Sequence, residues 1–231
     1  MGKWKMNPAL SQLAGITTTY KKLSSGEMIM SSEGQTYRFR MDGKESRAAS
    51  GMTVTWIQID PHTWVTVYKN PGMQTTDTTT LSPNGQTLTV VTKGVKPNGE
   101  TFQETSTSQR MSGGPGLEGQ WKTTQVKTVA QVWDIQPNGA DGLIVKMVDF
   151  NAVCALKFDG KNYPVNGPTV PRHYTLSVKK TGLRSLEMTE RMNTKVVYVD
   201  SFGVSADGKQ LTTEGAAPGS SEKTKVVYEK Q

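Results

Sequence analysis

Gly2-Lys3-Trp4-Lys5 returns as Gly119-Gln120-Trp121-Lys122, 117 positions later. Met41-Asp42-Gly43-Lys44 and Phe158-Asp159-Gly160-Lys161 keep the same spacing of 117. Ser82-Pro83-Asn84-Gly85-Gln86-Thr87-Leu88-Thr89 then returns as Ser205-Ala206-Asp207-Gly208-Lys209-Gln210-Leu211-Thr212 at a spacing of 123, which adds about six residues to the second copy. Correspondences that recur in one order mean that a single supersecondary unit is written twice. Each copy is long enough to bury its own core. The expected organisation is therefore a first domain over 1–111, a Gly/Pro linker at 112–116 (Ser112-Gly113-Gly114-Pro115-Gly116), and a second domain over 117–231.

Within each copy the pattern is that of strands. Tyr37-Arg38-Phe39-Arg40-Met41 places Tyr37, Phe39 and Met41 on one face and two arginines on the other, the period of a half-buried strand. Cys154, Leu156 and Phe158 occupy the matching places in the second copy, and Leu176 and Val178 face inward between Ser177 and Lys179. Pro83-Asn84-Gly85, Pro97-Asn98-Gly99, Pro137-Asn138-Gly139 and Asp207-Gly208 supply the positive φ of tight hairpins. Connections are short and no helical period is long enough for a βαβ crossover, so consecutive antiparallel pairing is the economical topology. Abundant Thr and Ser suit sheets with one wet face. The expected fold is all-β: two tandem antiparallel up-and-down β-barrels.

The formal charge of +7 comes from 27 Lys and Arg against 20 Asp and Glu. The longest cationic runs are the pairs Lys21-Lys22 and Lys179-Lys180, without a basic stripe or an aromatic motif beside them, so no nucleic-acid partner is expected. No apolar run reaches membrane-spanning length. Cys154 is the single cysteine, which excludes an intrachain disulfide and a Cys-based metal site.

The opening Gly-x-Trp on a first strand, followed by a meander, resembles the lipocalin and related calycin barrels. In that family the tryptophan closes one end of the barrel beneath a basic side chain from a late strand. The resemblance assigns Trp4 and Trp121 as barrel-closing residues, with Arg110 and Lys230, at the ends of the two copies, as their covers. The second copy also resembles a group of bacterial exported proteins through Phe158-Asp159-Gly160-Lys161-Asn162-Tyr163-Pro164-Val165-Asn166-Gly167, Ser205-Ala206-Asp207-Gly208-Lys209 and Val227-Tyr228-Glu229-Lys230-Gln231. That likeness implies a periplasmic or secreted setting, with any signal peptide outside this sequence, and it implies no established activity.

Catalytic chemistry finds little support in the residues. His62 lies in a hairpin turn and His173 before a strand, at unrelated positions and without ligand spacing. There is no nucleophile elbow, phosphate loop or zinc motif. Cys154 falls on an inner face, where a thiol packs as a small apolar group. The expectation is a non-enzyme without cofactor or metal that binds a small apolar ligand inside one or both barrels. Tyr37, Phe39, Met41 and Trp56 would line the first, and Cys154, Leu156, Phe158 and Met188 the second. The alternative is that both barrels are filled and act through their outer surface or the groove between the copies. Methionines along the predicted strands fit either reading, as gap fillers or as adaptable pocket walls.

Overall fold

The computed structural model describes residues 1–48, 52–70 and 72–231. Among them, twenty strands form two antiparallel, nearly closed ten-stranded barrels, as the alternation and turns predict. The first runs, neighbour to neighbour, through Gln35–Phe39 (β4), Met28–Ser32 (β3), Thr17–Lys22 (β2), Gly119–Lys127 (β11), Thr101–Ser112 (β10), Thr87–Val95 (β9), Met73–Leu81 (β8), Thr63–Asn70 (β7), Thr53–Asp60 (β6) and Asp42–Arg47 (β5). The second runs through Ala152–Lys157 (β14), Gly142–Met147 (β13), Val132–Pro137 (β12), Gly2–Met6 (β1), Thr224–Lys230 (β20), Gln210–Ala216 (β19), Lys195–Val204 (β18), Ser185–Met192 (β17), Tyr174–Lys180 (β16) and Tyr163–Pro164 (β15). At the seam of the second barrel, the bridges Val153↔Asn166 and Asp159↔Lys179 join segments on either side.

The domain boundaries differ from 1–111 and 117–231, because the two Gly-x-Trp strands have changed places. β1 pairs with β12 and β20, and β11 pairs with β10 and β2. One compact unit is accordingly Leu13–Val129, and the other combines Met1–Gln12 with Ala130–Gln231. The stretch at 112–116 is no linker between domains; it lies in the connection that turns β10 into β11 within one barrel. A short connection favours pairing of the strands it joins, because little chain entropy is lost in closing it. With β11 seated beside β10, β1 finds the equivalent place between β12 and β20.

The covering cations follow the exchanged strands. Each covers the tryptophan directly opposite it in register, Arg110 with Trp121 and Lys230 with Trp4. The Arg110 guanidinium carbon lies 4.1 Å from the centre of the Trp121 ring, and the Lys230 ammonium 5.9 Å from that of Trp4. Arg110 also donates to the carbonyls of Gly85 (2.6 Å), Gly114 (2.7 Å), Gly116 (2.6 Å) and Glu118 (2.7 Å). Trp121 donates its indole N–H to the Leu117 carbonyl at 2.9 Å. The glycine of the motif has a steric reason. Gly119 has φ +137°, and a Cβ there would stand 2.2 Å from the Ser112 carbonyl oxygen and 3.1 Å from the Arg110 guanidinium.

Two outcomes are expected from this arrangement. Arg110→Ala removes charge-assisted bonds to four carbonyls and the cation over the ring, and lowers stability by about 2–4 kcal/mol in urea denaturation, with Arg110→Lys recovering little of it. A fragment spanning 13–129 gives a cooperative thermal transition by circular dichroism, whereas a fragment spanning 1–111, deprived of β11, does not.

Candidate functional site

The interiors of the barrels can be compared position by position, because the registers correspond. Tyr37 lies opposite Met30 and Phe39 opposite Met28; in the second barrel Cys154 lies opposite Val145 and Leu156 opposite Leu143. Trp56 lies opposite Thr66 as Val178 lies opposite Met188, and Trp64 lies opposite Thr79 as Leu186 lies opposite Phe202. The same backbone frame thus carries two different fillings.

The first barrel is packed with rings. Phe39 stacks on Trp56 with centroids 4.4 Å apart, Tyr20 meets Trp56 edge-on at 5.9 Å, and Tyr37 lies 5.7 Å from Phe39. Tyr37 and Tyr68 share a hydroxyl hydrogen bond of 3.1 Å, and Trp56 donates to the Tyr37 hydroxyl at 3.4 Å. Trp64 and Trp121 complete this core, and Met41 packs against it, partly buried. Tyr37, Phe39, Met41 and Trp56 are therefore brought together, as part of a close-packed cluster.

In the second barrel the aromatics gather on one arc of strands. Trp133 of β12 lies 5.4 Å from Tyr228 of β20 and 5.7 Å from Phe202 of β18. The other arc carries aliphatic Leu156, Val178 and Leu186 where the first barrel has Phe39, Trp56 and Trp64. Between the aromatics and Leu186 a cavity of ≈ 330 Å³ is left, which Leu156 and Val178 do not border. Trp133, Leu143, Phe158, Leu186, Met188 and Phe202 are among the side chains that form its wall. Phe158 and Met188 thus line open space, whereas Cys154 and Leu156 are fully buried. The wall residues that the sequence pattern did not single out are Leu143, Leu186 and Phe202. Leu186 alternates with Met188 on β17, so its facing was legible, but the gap it leaves depends on the opposite wall.

The turn between β16 and β17 borders this cavity. Thr181 and Gly182 donate their backbone N–H groups to the Ser185 carbonyl at 3.1 and 3.3 Å, and Thr181 donates its hydroxyl to that of Ser185 at 3.0 Å. Leu183 at its tip is 100% exposed, an apolar side chain held outside the core beside an apolar cavity. Lys180 and Arg184 are the charged residues in the lining, and the Lys180 ammonium lies 4.4 Å from the centre of the Phe158 ring.

Each barrel also holds an interior carboxyl at the same register position. Asp77 lies opposite Thr66, and Asp200 opposite Met188. Burial pushes the Asp77 carboxyl up to about 6, with Glu104 adding to the effect and a hydrogen bond from Thr92 opposing it. One Asp77 oxygen is buried without a hydrogen-bond partner, which favours the neutral acid. Burial, followed by the Glu190 charge, pushes Asp200 up to about 7. Glu190 accepts a hydrogen bond from the Tyr174 hydroxyl, and burial raises its own pKa. Burial likewise takes the Cys154 thiol up to about 11, away from nucleophilic use. His62 and His173 are exposed. Among the described residues no three His, Cys, Asp or Glu side chains gather as metal ligands, and no helix is long and apolar enough to cross a membrane.

Comparison with known proteins returned no match: no family model, curated protein or solved structure is detectably similar to this chain.

The interior acids set a pH dependence. Their folded pKa values lie above the unfolded carboxylate range, so between about pH 4 and pH 7 the folded state binds more protons, and stability falls as pH rises. Asp60, Asp159 and Asp207, whose pKa values are lowered by local hydrogen bonds, act in the opposite sense and only at more acidic pH. The melting temperature is expected to be several degrees higher at about pH 5 than at about pH 8, and Asp77→Asn with Asp200→Asn should remove most of that difference.

Proposed function

We propose that this protein is a non-catalytic binding module that takes a small apolar ligand into its second barrel. The observation that carries this reading is the ≈ 330 Å³ cavity walled by Trp133, Leu143, Phe158, Leu186, Met188 and Phe202. Its size lies at the lower end of the range of roughly 300–1,000 Å³ typical of small-molecule pockets. Apolar walls give affinity without directional bonds, so this ligand is held by shape and by its removal from water. Exposed Leu183 stands where such a ligand would enter and offers it an apolar contact on the way. The first barrel, filled by its stacked aromatic cluster, serves in this proposal as a rigid companion rather than a second container.

Leu186→Trp places in the second barrel the ring that the first barrel carries at Trp64, and tests the reading directly. Titration of the purified protein with an environment-sensitive apolar dye should give saturable binding, and this variant should weaken it at least about tenfold. Overfilling a core costs roughly 1–3 kcal/mol, so the melting temperature is measured alongside. Dye binding that is absent, or unchanged in a folded Leu186→Trp variant, overturns the proposal.

A further inference from the structure

We infer that the ligand of the second barrel is an amphiphile with an anionic head, the head resting at Lys180 and Arg184 while the apolar body fills the cavity. This inference rests on the reading of the cavity as a ligand site and adds the chemistry of its mouth.

Three observations carry it. The charged side chains that line the cavity, Lys180 and Arg184, have one sign, and no Asp or Glu stands among the lining residues. Four acids stand next to lining residues in sequence, and three are already paired: Asp141 with Lys157 at 3.3 Å, Asp134 with Lys146 at 3.9 Å and Asp159 with Lys161 at 3.8 Å. The fourth, Glu187, alternates with Leu186 and Met188 on β17 and so belongs to the opposite face of that strand. Arg184 has no ion-pair or side-chain hydrogen-bond partner among the described residues, and its backbone is held by the bond from the Val204 N–H to its carbonyl at 2.9 Å. An arginine anchored by its main chain, with its fork of donors open to solvent, is suited to a carboxylate or another oxyanion.

The seating of Lys180 adds to this. Its ammonium lies 4.4 Å from the centre of the Phe158 ring, and that ring lines the cavity. The stem of the lysine therefore borders apolar space while its charge stays at the water boundary. A ligand whose polar end stops at this boundary keeps its charge solvated and buries only what is apolar. A neutral chain of the same length gains the burial without the ionic contact, and a cationic amphiphile meets two like charges. At roughly 30 Å³ for each water-sized group, the cavity takes an apolar body of about a dozen non-hydrogen atoms.

Calorimetric titration of the full chain with dodecanoate, dodecanol and dodecyltrimethylammonium, each below its micelle concentration, tests the inference. Dodecanoate should bind about tenfold more tightly than dodecanol, and the cationic chain more weakly than either. The preference for dodecanoate over dodecanol should shrink as salt is raised. In the double variant Lys180→Met with Arg184→Met the two affinities should converge on that of dodecanol, whereas Lys180→Arg with Arg184→Lys keeps the preference. Dodecanol binding as tight as dodecanoate, or a preference that survives in the double Met variant, overturns the head-group assignment and leaves the cavity reading standing. Failure of all three chains to bind overturns both.

Discussion

Each barrel depends on one tryptophan strand placed between its neighbours and roofed by a cation from the strand beside it. At Trp121 the roof is Arg110, whose guanidinium also gathers four backbone carbonyls from the loops around it. Those carbonyls belong to turns with no regular pairing of their own, and the three that are partly buried, at Gly85, Gly116 and Glu118, would be costly to leave without a donor. The arginine therefore does three things at once. It covers an indole face, satisfies the loop, and holds the connection that makes β11 the neighbour of β10. Lys230 over Trp4 is a looser version, more distant and exposed, and there the segment after β1 supplies the fastening. Asn7 donates to the Val227 carbonyl at 2.8 Å, Gln12 exchanges backbone bonds with Lys225, and Ser11 accepts from the Val227 N–H at 3.0 Å.

Two copies with one register show how little backbone decides about function. Phe39, Trp56 and Trp64 fill the first interior from one arc, while Trp133, Phe202 and Tyr228 furnish the second from the other. Beside Leu186, where the first barrel has Trp64, space is left. The interior carboxyls have been kept through this change. Asp77 and Asp200 occupy one position in the shared frame, and both are held toward the neutral form by burial.

Much of this was legible in the residues. The duplication, the hairpins at Asn-Gly turns, and the inward facing of Tyr37, Phe39, Cys154 and Leu156 all follow from spacing and alternation. The place of the two Gly-x-Trp strands does not. Gly2-Lys3-Trp4-Lys5 and Gly119-Gln120-Trp121-Lys122 are so alike that either fits either slot, and the choice falls to the connections. The Gly/Pro stretch at 112–116 has the composition of a spacer, and only the pairing of β10 with β11 and the Arg110 contacts reveal it as part of a pinned hairpin turn. The cavity was out of reach for another reason: volume between walls is a property of pairs of positions on opposite arcs, which no local pattern reports. The acids were different. Their spacing of 123 matches that of the Ser82 and Ser205 segments, so the pair could have been found by aligning the copies.

The exchange of opening strands has a consequence for how the molecule is made. As the chain leaves the ribosome, β1 emerges ahead of the whole 13–129 barrel, yet its partners β12 and β20 come only after residue 130. The barrel over 13–129 can close while translation continues, because all its strands are then present. The other barrel must wait with a tryptophan-bearing segment unpartnered in the meantime. A nascent chain of this design therefore completes the 13–129 barrel first, and β1, translated ahead of it, finds its place only later.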